Sequence, residues 1–253
     1  MILKPRATFI GSPLLEYESL DSTNVFSLEL VSKSNPTEGT TVLAHFQSSG
    51  KGQYGRAWDS KARENITLSI ILLPTFLDIK SQFYLNVISS LAVADMLEYY
   101  VKDHVKIKWP NDVYIGDNKI CGILIQNSLK GSSILNAVVG IGINVNQELF
   151  PKDIPNPTSI KKEVGNPVDL TEVRELLFGI FEKYYLDLKK GEFEILSTQY
   201  QDRLYKKGVT SKFKIEDKTI DGIIHSINNL GQLVITIDGK EESFSKTEIQ
   251  YLK

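Results

Sequence analysis

Cysteine is almost absent from this chain. Only Cys121 carries a thiol among 253 residues, so an internal disulfide is impossible and zinc clusters are excluded. Histidine is nearly as scarce: His45, His104 and His225 are scattered and offer no metal-ligand spacing. Long hydrophobic runs are missing too. The longest, such as Ile70 to Pro74, fall far short of a bilayer's thickness. Lys4, Pro5 and Arg6 break up any apolar stretch near the N-terminus that could serve as an export signal. Neither sign of charge dominates; a formal net charge of −2 gives no global attraction to nucleic acid or to anionic membranes. What is present is the composition of an ordinary soluble globular protein, 42% hydrophobic and 24% charged. The chain is long enough for one substantial core and a small second domain, and a cytoplasmic location is expected.

The hydrophobic pattern divides the chain into two regions, residues 1–206 and 207–253. In the first, Leu14 to Leu20 reads as a strand, and Asp21, Ser22 and Thr23 offer side-chain oxygens that can cap the helix after it. Val25, Phe26, Leu28, Leu30 and Val31 give that helix an apolar face, and it stops before Asn35-Pro36. Strands are expected over 40–47, 65–73, 105–108, 113–115, 119–126 and 134–145, with a long helix over 79–101. A connecting loop over 156–166 precedes two helices, 170–189 and 192–207, separated by Gly191. After Gly208 the grammar changes. Short strands at 213–215, 220–227, 232–237, 242–245 and 249–252, with turns at Asn228–Gly231 and Asp238-Gly239, predict a small β-barrel leaning on the larger region.

Three segments carry polarity that a core does not need. Gly50-Lys51-Gly52-Gln53-Tyr54-Gly55 matches GxGxxG, but a polar stretch and then a strand follow it where a dinucleotide site requires a helix. A Walker loop fails as well, since Gly50-Lys51 is followed by Gly52 and position 45 is a histidine. What remains is a mobile glycine loop with Lys51 and Arg56, and with Lys61 and Arg63 just beyond: either an anion site or a solvated basic loop. Lys108-Trp109-Pro110-Asn111-Asp112 is more specific. Pro110 forces a turn, and Asn111 and Asp112 then sit at a strand end where a nucleotide or its magnesium can meet them; the plainer reading is an Asx-type turn with Trp109 as core. Lys119 opens the next strand, and Gly122 leaves room for a ligand against it. Gly140-Ile141-Gly142-Ile143-Asn144-Val145-Asn146 places glycines inside an apolar strand, which predicts close approach of a ligand or backbone. Strand alternation points Asn144 and Asn146 the same way.

These segments together resemble the biotin protein ligase family, also called biotin–[acetyl-CoA-carboxylase] ligases. The elements stand in the family's order: Ser22-Thr23-Asn24, Gln47 with the glycine loop and Trp58, KWPND with Lys119 and Gly122, GIGIN, and Pro157-Thr158-Ser159-Ile160 in place of Ala-Thr-Ser-Leu. The resemblance covers nearly the whole chain. It implies an α/β (α+β) fold: a mixed β-sheet flanked by helices, the class II synthetase-like biotin/lipoate ligase domain, with a C-terminal SH3-like β-barrel. It also implies a two-step reaction, in which biotin and ATP give biotinyl-5′-AMP and a lysine of a biotin carboxyl carrier domain then takes the biotinyl group. Ser22, Thr23, Asn24 and Gln47 would hold the ureido ring and neighbouring atoms, with Gly50, Lys51, Gly52, Gln53 and Gly122 completing the biotin site. Lys119 would meet the carboxylate, while Arg56, Trp58, Asn111, Asn144 and Lys119 would face ATP. Lys51, Arg56, Lys119 and Mg2+ would neutralise developing charge, with Asp112 a candidate metal ligand. Cys121 has no catalytic part.

One departure stands out: much of the family reads Gly-Arg-Gly-Arg where this chain has Lys51 and Gln53. Gln53→Arg is therefore expected to slow release of biotinyl-AMP. DNA binding is not expected, because the first ligase motif starts at Asp21 and because the region from Lys207 onward has seven lysines against seven acidic residues, no basic footprint. A monomer and a homodimer remain open. The alternatives are a lipoate or octanoate ligase, whose substrate lacks the ureido ring, and a non-catalytic biotin-binding regulator, which has no use for phosphate-binding cations.

Overall fold

The computed structural model describes residues 5–102 and 104–252. Its larger sheet has seven strands in the order β1-β2-β3-β7-β6-β5-β4. They are β1 (Leu14–Tyr17), β2 (Thr41–Ala44), β3 (Asn65–Leu72), β4 (Val105–Lys108), β5 (Asp112–Ile115), β6 (Asn118–Lys130) and β7 (Ser133–Asn144). Only β1 and β2 are parallel, so the sheet is mixed. Its centre is β3 beside β7, and all eight residues of β3 are buried, the polar Asn65, Thr67 and Ser69 among them, each with a hydrogen-bond partner.

Among the described residues five α-helices accompany the sheet: α1 (Thr23–Lys33), α2 (Tyr84–Glu98), α3 (Ile160–Val164), α4 (Leu170–Lys189) and α5 (Phe193–Asp202). Ser22 caps α1, its Oγ accepting from Val25 N at 3.5 Å, and Asp169 caps α4 by accepting from Thr171 N. α1 lies on β2, β3 and β7, whereas α2 packs on β4 to β6 and on α4 and α5. Among the described residues no helix is long and apolar enough to cross a membrane.

Several boundaries differ from the expected ones. The chain at 79–81 is a separate 3-10 turn capped by Asp78, and α2 begins only at Tyr84. α5 ends at Asp202 because the chain beyond it bonds to β4: Ile107 N donates to Arg203 O and Tyr205 N to Ile107 O. α3 lies in the segment expected to be a loop. Five residues are too few to display a helical period, but Ser159 caps it and Gly165, at φ 81°, ends it in the left-handed region.

The second sheet is antiparallel, in the order β11-β10-β9-β8-β12: β8 (Thr210–Ile215), β9 (Lys218–Ile227), β10 (Leu233–Ile237), β11 (Lys240–Phe244) and β12 (Ile249–Tyr251). This is the expected SH3-like unit. Asp238 and Gly239 both have positive φ (48° and 78°), the backbone that a two-residue hairpin turn demands. The two sheets share one buried cluster, which runs from Trp109 and Tyr200 to Phe213, Ile224 and Leu233. Trp109, 5% exposed, donates its indole N–H to the carbonyl of Gly231 at 2.8 Å. The β9–β10 turn thus docks on the KWPND segment.

Candidate active site

The docking leaves a cavity of about 1660 Å³ between the two sheets, more than one drug-sized ligand fills. Ser22, Thr23, Asn24, Gln47, Lys51, Gly52, Gln53, Arg56, Trp58, Asn111, Asp112, Lys119, Gly122 and Asn144 all line it. Gly50 does not. A Cβ there would lie 2.3 Å from Trp58 O, and Gly50 O accepts from Trp58 N at 2.8 Å, so Gly50 lets the loop close on itself. The loop is a small hairpin: Lys51 bridges Ala57, and Tyr54 sits at its tip with φ 55°. Lys61 pairs with Glu64 and Arg63 with Glu18, both outside the cavity lining.

One end of the cavity is built of amides and hydroxyls. Gln47 Oε1 accepts from Thr23 N at 2.8 Å and from Thr23 Oγ1 at 3.1 Å, which leaves its Nε2, a donor, on the side of Gly50. Ser69 Oγ donates in turn to Thr23 Oγ1 at 2.9 Å. Asn24 Nδ2 donates to Leu124 O at 3.2 Å, while its Oδ1 is buried without a partner. An orphaned buried acceptor is costly in a folded protein, and a ligand N–H would satisfy it.

The glycines expected to admit a ligand admit side chains of the chain itself. A Cβ on Gly142 would stand 2.4 Å from Trp58 Cε2, and one on Gly122 2.9 Å from Trp58 Cζ3. The Trp58 indole therefore lies flat on β6 and β7, with its buried Nε1 unpartnered. Gly140 likewise makes room for Asn24 Nδ2, at 2.8 Å from a hypothetical Cβ. The expected pairing of Asn144 with Asn146 does not occur, because β7 ends at Asn144 and alternation ends with it. Asn144 Nδ2 donates to Thr158 O, whereas Asn146 exchanges hydrogen bonds with the backbone of Val168, away from the cavity.

The other end is cationic. Lys119 Nζ pairs with Asp112 at 2.7 Å and stands 5.7 Å from the Trp58 ring. Lys119 is fixed in the backbone too, donating to Asn156 O and accepting from Thr158 N, so the Pro157-Thr158 segment runs alongside it. Lys108 sits among the rings of Tyr114, Tyr205 and Tyr251, at 4.9, 5.7 and 5.0 Å. Burial lowers its pKa; Asp112 opposes that shift, and Lys119, Lys206 and Arg56 add to it. Lys246, from the β11–β12 turn, enters the same space. Its ammonium donates to Gln53 Oε1 at 2.7 Å and to Asn111 Oδ1 at 2.9 Å. Burial lowers its pKa to about 8, against the pull of Asp112 and with the help of Lys119, Arg56 and Lys108. Asn111 is thus engaged at both ends of its amide, its Oδ1 by Lys246 and its Nδ2 by donating to Ile123 O.

Neither Lys246 nor the placement of Lys108 was legible beforehand; Lys246 reads locally as one more lysine in a polar turn. Cys121 is fully buried, which pushes its thiol far up and leaves it inert. Among the described residues no group of three or more His, Cys, Asp or Glu could hold a metal ion. Asp112 is a lone carboxylate facing Lys119, so magnesium fits only as a companion of a bound nucleotide's phosphates.

Comparison with known proteins agrees with this geometry. A family model described as the biotin/lipoate A/B protein ligase family matches residues 16–144, just over half of the chain. The bifunctional ligase/repressor BirA of Bacillus subtilis is 28% identical over 242 residues, covering 93% of this chain and 73% of that protein. The biotin–[acetyl-CoA-carboxylase] ligase of Paracoccus denitrificans is 28% identical over 222 residues, covering 85% and 90%. Among solved structures, the biotin protein ligase of Aquifex aeolicus in complex with biotin and ATP superposes with a TM-score of 0.79 at 25% identity, covering 94% of this chain and 99% of that one.

Proposed function

We propose that this chain, which belongs to the biotin/lipoate A/B protein ligase family, is an ATP-dependent biotin protein ligase. The observation that carries this reading is the two-ended cavity, amides and hydroxyls at one end and four cations around one carboxylate at the other. A ureido ring offers N–H donors and a carbonyl acceptor. Asn24 Oδ1, orphaned without a ligand, takes an N–H, and Gln47 Nε2 is a donor for the carbonyl. A fatty acyl chain would leave both unpaired, which disfavours the lipoate-type alternative.

At the cationic end the barrier to adenylation is the approach of two anions. The carboxylate oxygen forms a bond to the α-phosphorus of ATP as the bond to the β-phosphate oxygen breaks, and pyrophosphate leaves. Lys119 turns from Asp112 to the carboxylate; Arg56, Lys51 and Lys108 balance the phosphates; Trp58 supplies the surface against which the two ligands meet. Magnesium, when bound with ATP, adds positive charge to the phosphates, and Asp112 is the carboxylate that would face it. In the second step the amine of a carrier-domain lysine bonds to the acyl carbon and AMP departs. A cytoplasmic location, where ATP is available, goes with this reading.

The test is ATP–pyrophosphate exchange with biotin, then with octanoate or lipoate. Biotin-dependent exchange is expected, falling about 10²- to 10³-fold in Lys119→Ala, the loss typical of one removed charge-stabilising group. Exchange with the fatty acid alone would move the chain to the lipoate-type ligases, and biotin binding without exchange would leave a binding protein.

A further inference from the structure

Lys246 reaches the site from the C-terminal region, as Lys214 of β8 also does, and its ammonium joins two separate segments of the cavity lining. Gln53 belongs to the glycine hairpin, and Asn111 to the turn between β4 and β5. The hairpin tip is open: Tyr54 is 69% exposed, and a Cβ added at Gly55 would meet nothing within 4 Å. Tyr54 itself lies over the same ammonium, 5.7 Å from ring centre to Nζ.

We propose that Lys246 is a positioning residue that fastens the glycine hairpin across the cavity through Gln53, so that the C-terminal sheet retains the acyl-adenylate between the two half-reactions. The inference rests on the adenylation reading above. It gives Gln53 a purpose that the sequence did not show, since a neutral side-chain oxygen is what an ammonium needs opposite it. The expected sign for Gln53→Arg is thereby reversed. A guanidinium at this position would face Lys246 in a space that already holds Arg56, Lys108 and Lys119, and the hairpin would be pushed open.

Besides Asp112, the charged groups that act most on Lys246 are Lys119, Arg56 and Lys108, and Lys51, Lys206, Lys214 and Glu216 line the same cavity. Glu248, two residues along the turn, is engaged with Ser245.

The experiment loads the enzyme with labelled biotin and ATP, removes pyrophosphate with pyrophosphatase, and follows loss of label into excess unlabelled biotin. One charge-assisted hydrogen bond corresponds to about tenfold faster release in Lys246→Ala. Lys246→Arg should restore retention, Gln53→Arg should release faster than wild type, and Gln53→Glu should release more slowly. Gln53→Ala added to Lys246→Ala should bring no further loss, as two halves of one contact require. In wild type, release should rise as pH passes through about 8, where the ammonium loses its charge; Lys246→Arg should show no such inflection. Unchanged release in Lys246→Ala, additive losses in the double variant, or slower release in Gln53→Arg would each overturn the proposal. A wild type that supports no biotin-dependent exchange overturns the adenylation reading and this inference with it. One that exchanges and retains the adenylate while its variants behave alike overturns the inference only.

Discussion

Gly142→Ala is the sharpest test of how this site is built. Gly142 lies on β7, paired to Thr67 on one side and to Gly122 on the other, so its backbone cannot retreat. Its φ is not in the left-handed region, so alanine meets no backbone strain. The new methyl would stand 2.4 Å from Trp58 Cε2 and 2.6 Å from Nε1, inside any permitted contact. The indole must lift off the sheet and carry with it the hairpin strand that bonds to Gly50. Overpacking of this kind costs about 1–3 kcal/mol. If that cost falls on the site, nucleotide affinity drops by about 5- to 150-fold, at about 1.4 kcal/mol per factor of ten. The assay is the KM for ATP in pyrophosphate exchange, beside urea unfolding of both proteins. A second background settles the cause: with Trp58→Ala in place the clash is gone. Gly142→Ala should then stabilise the fold by about 0.4–1 kcal/mol, the usual gain from restricting the unfolded chain. An unchanged KM in the single variant, or the same destabilisation in both backgrounds, would refute the reasoning.

Two stability predictions accompany the Lys119 and Lys246 experiments. Trp109→Phe removes the N–H that reaches Gly231 O and strands a buried carbonyl, which should cost about 1–3 kcal/mol in urea unfolding. Glu182 accepts hydrogen bonds from Thr8 N, Phe9 N, Ile10 N and Thr8 Oγ1. Burial works to raise its pKa, but these bonds outweigh burial and hold the carboxyl below its ordinary value. Its contribution is therefore present above about pH 4.3, the unfolded value, and lost as pH falls through the lower folded one. Glu182→Gln should be less stable near neutrality and show a shallower loss of stability in acid; parallel acid-unfolding curves would count against this.

The sequence was most informative where a signal is local. A helix cap was recognisable within Asp21-Ser22-Thr23, a hairpin turn at Asp238-Gly239 and a strand from Asn65, because each depends on residues within a turn or two. The polar members of KWPND stood out because no core position needs them. Thirteen of the fourteen lining residues named above lie between Ser22 and Gly122, so the order of motifs along the chain already grouped most of the site.

Chain order could not say what fills the space between motifs. Glycines in β6 and β7 announced a close approach, but whether a ligand or an indole makes it depends on where the glycine hairpin folds, and that is a long-range matter. Five residues of α3 show no period, and alternation beyond Asn144 fails because the strand has already ended. Lys246 is the clearest case. It is separated from Asn111 by 135 residues and from Gln53 by 193. Composition, periodicity and turn chemistry are properties of short segments, so they determined the elements and the kinds of groups available. The lowered pKa of Lys246, the surface offered by Trp58 and the closure of the hairpin arise from burial and proximity, which exist only once the two sheets are packed together.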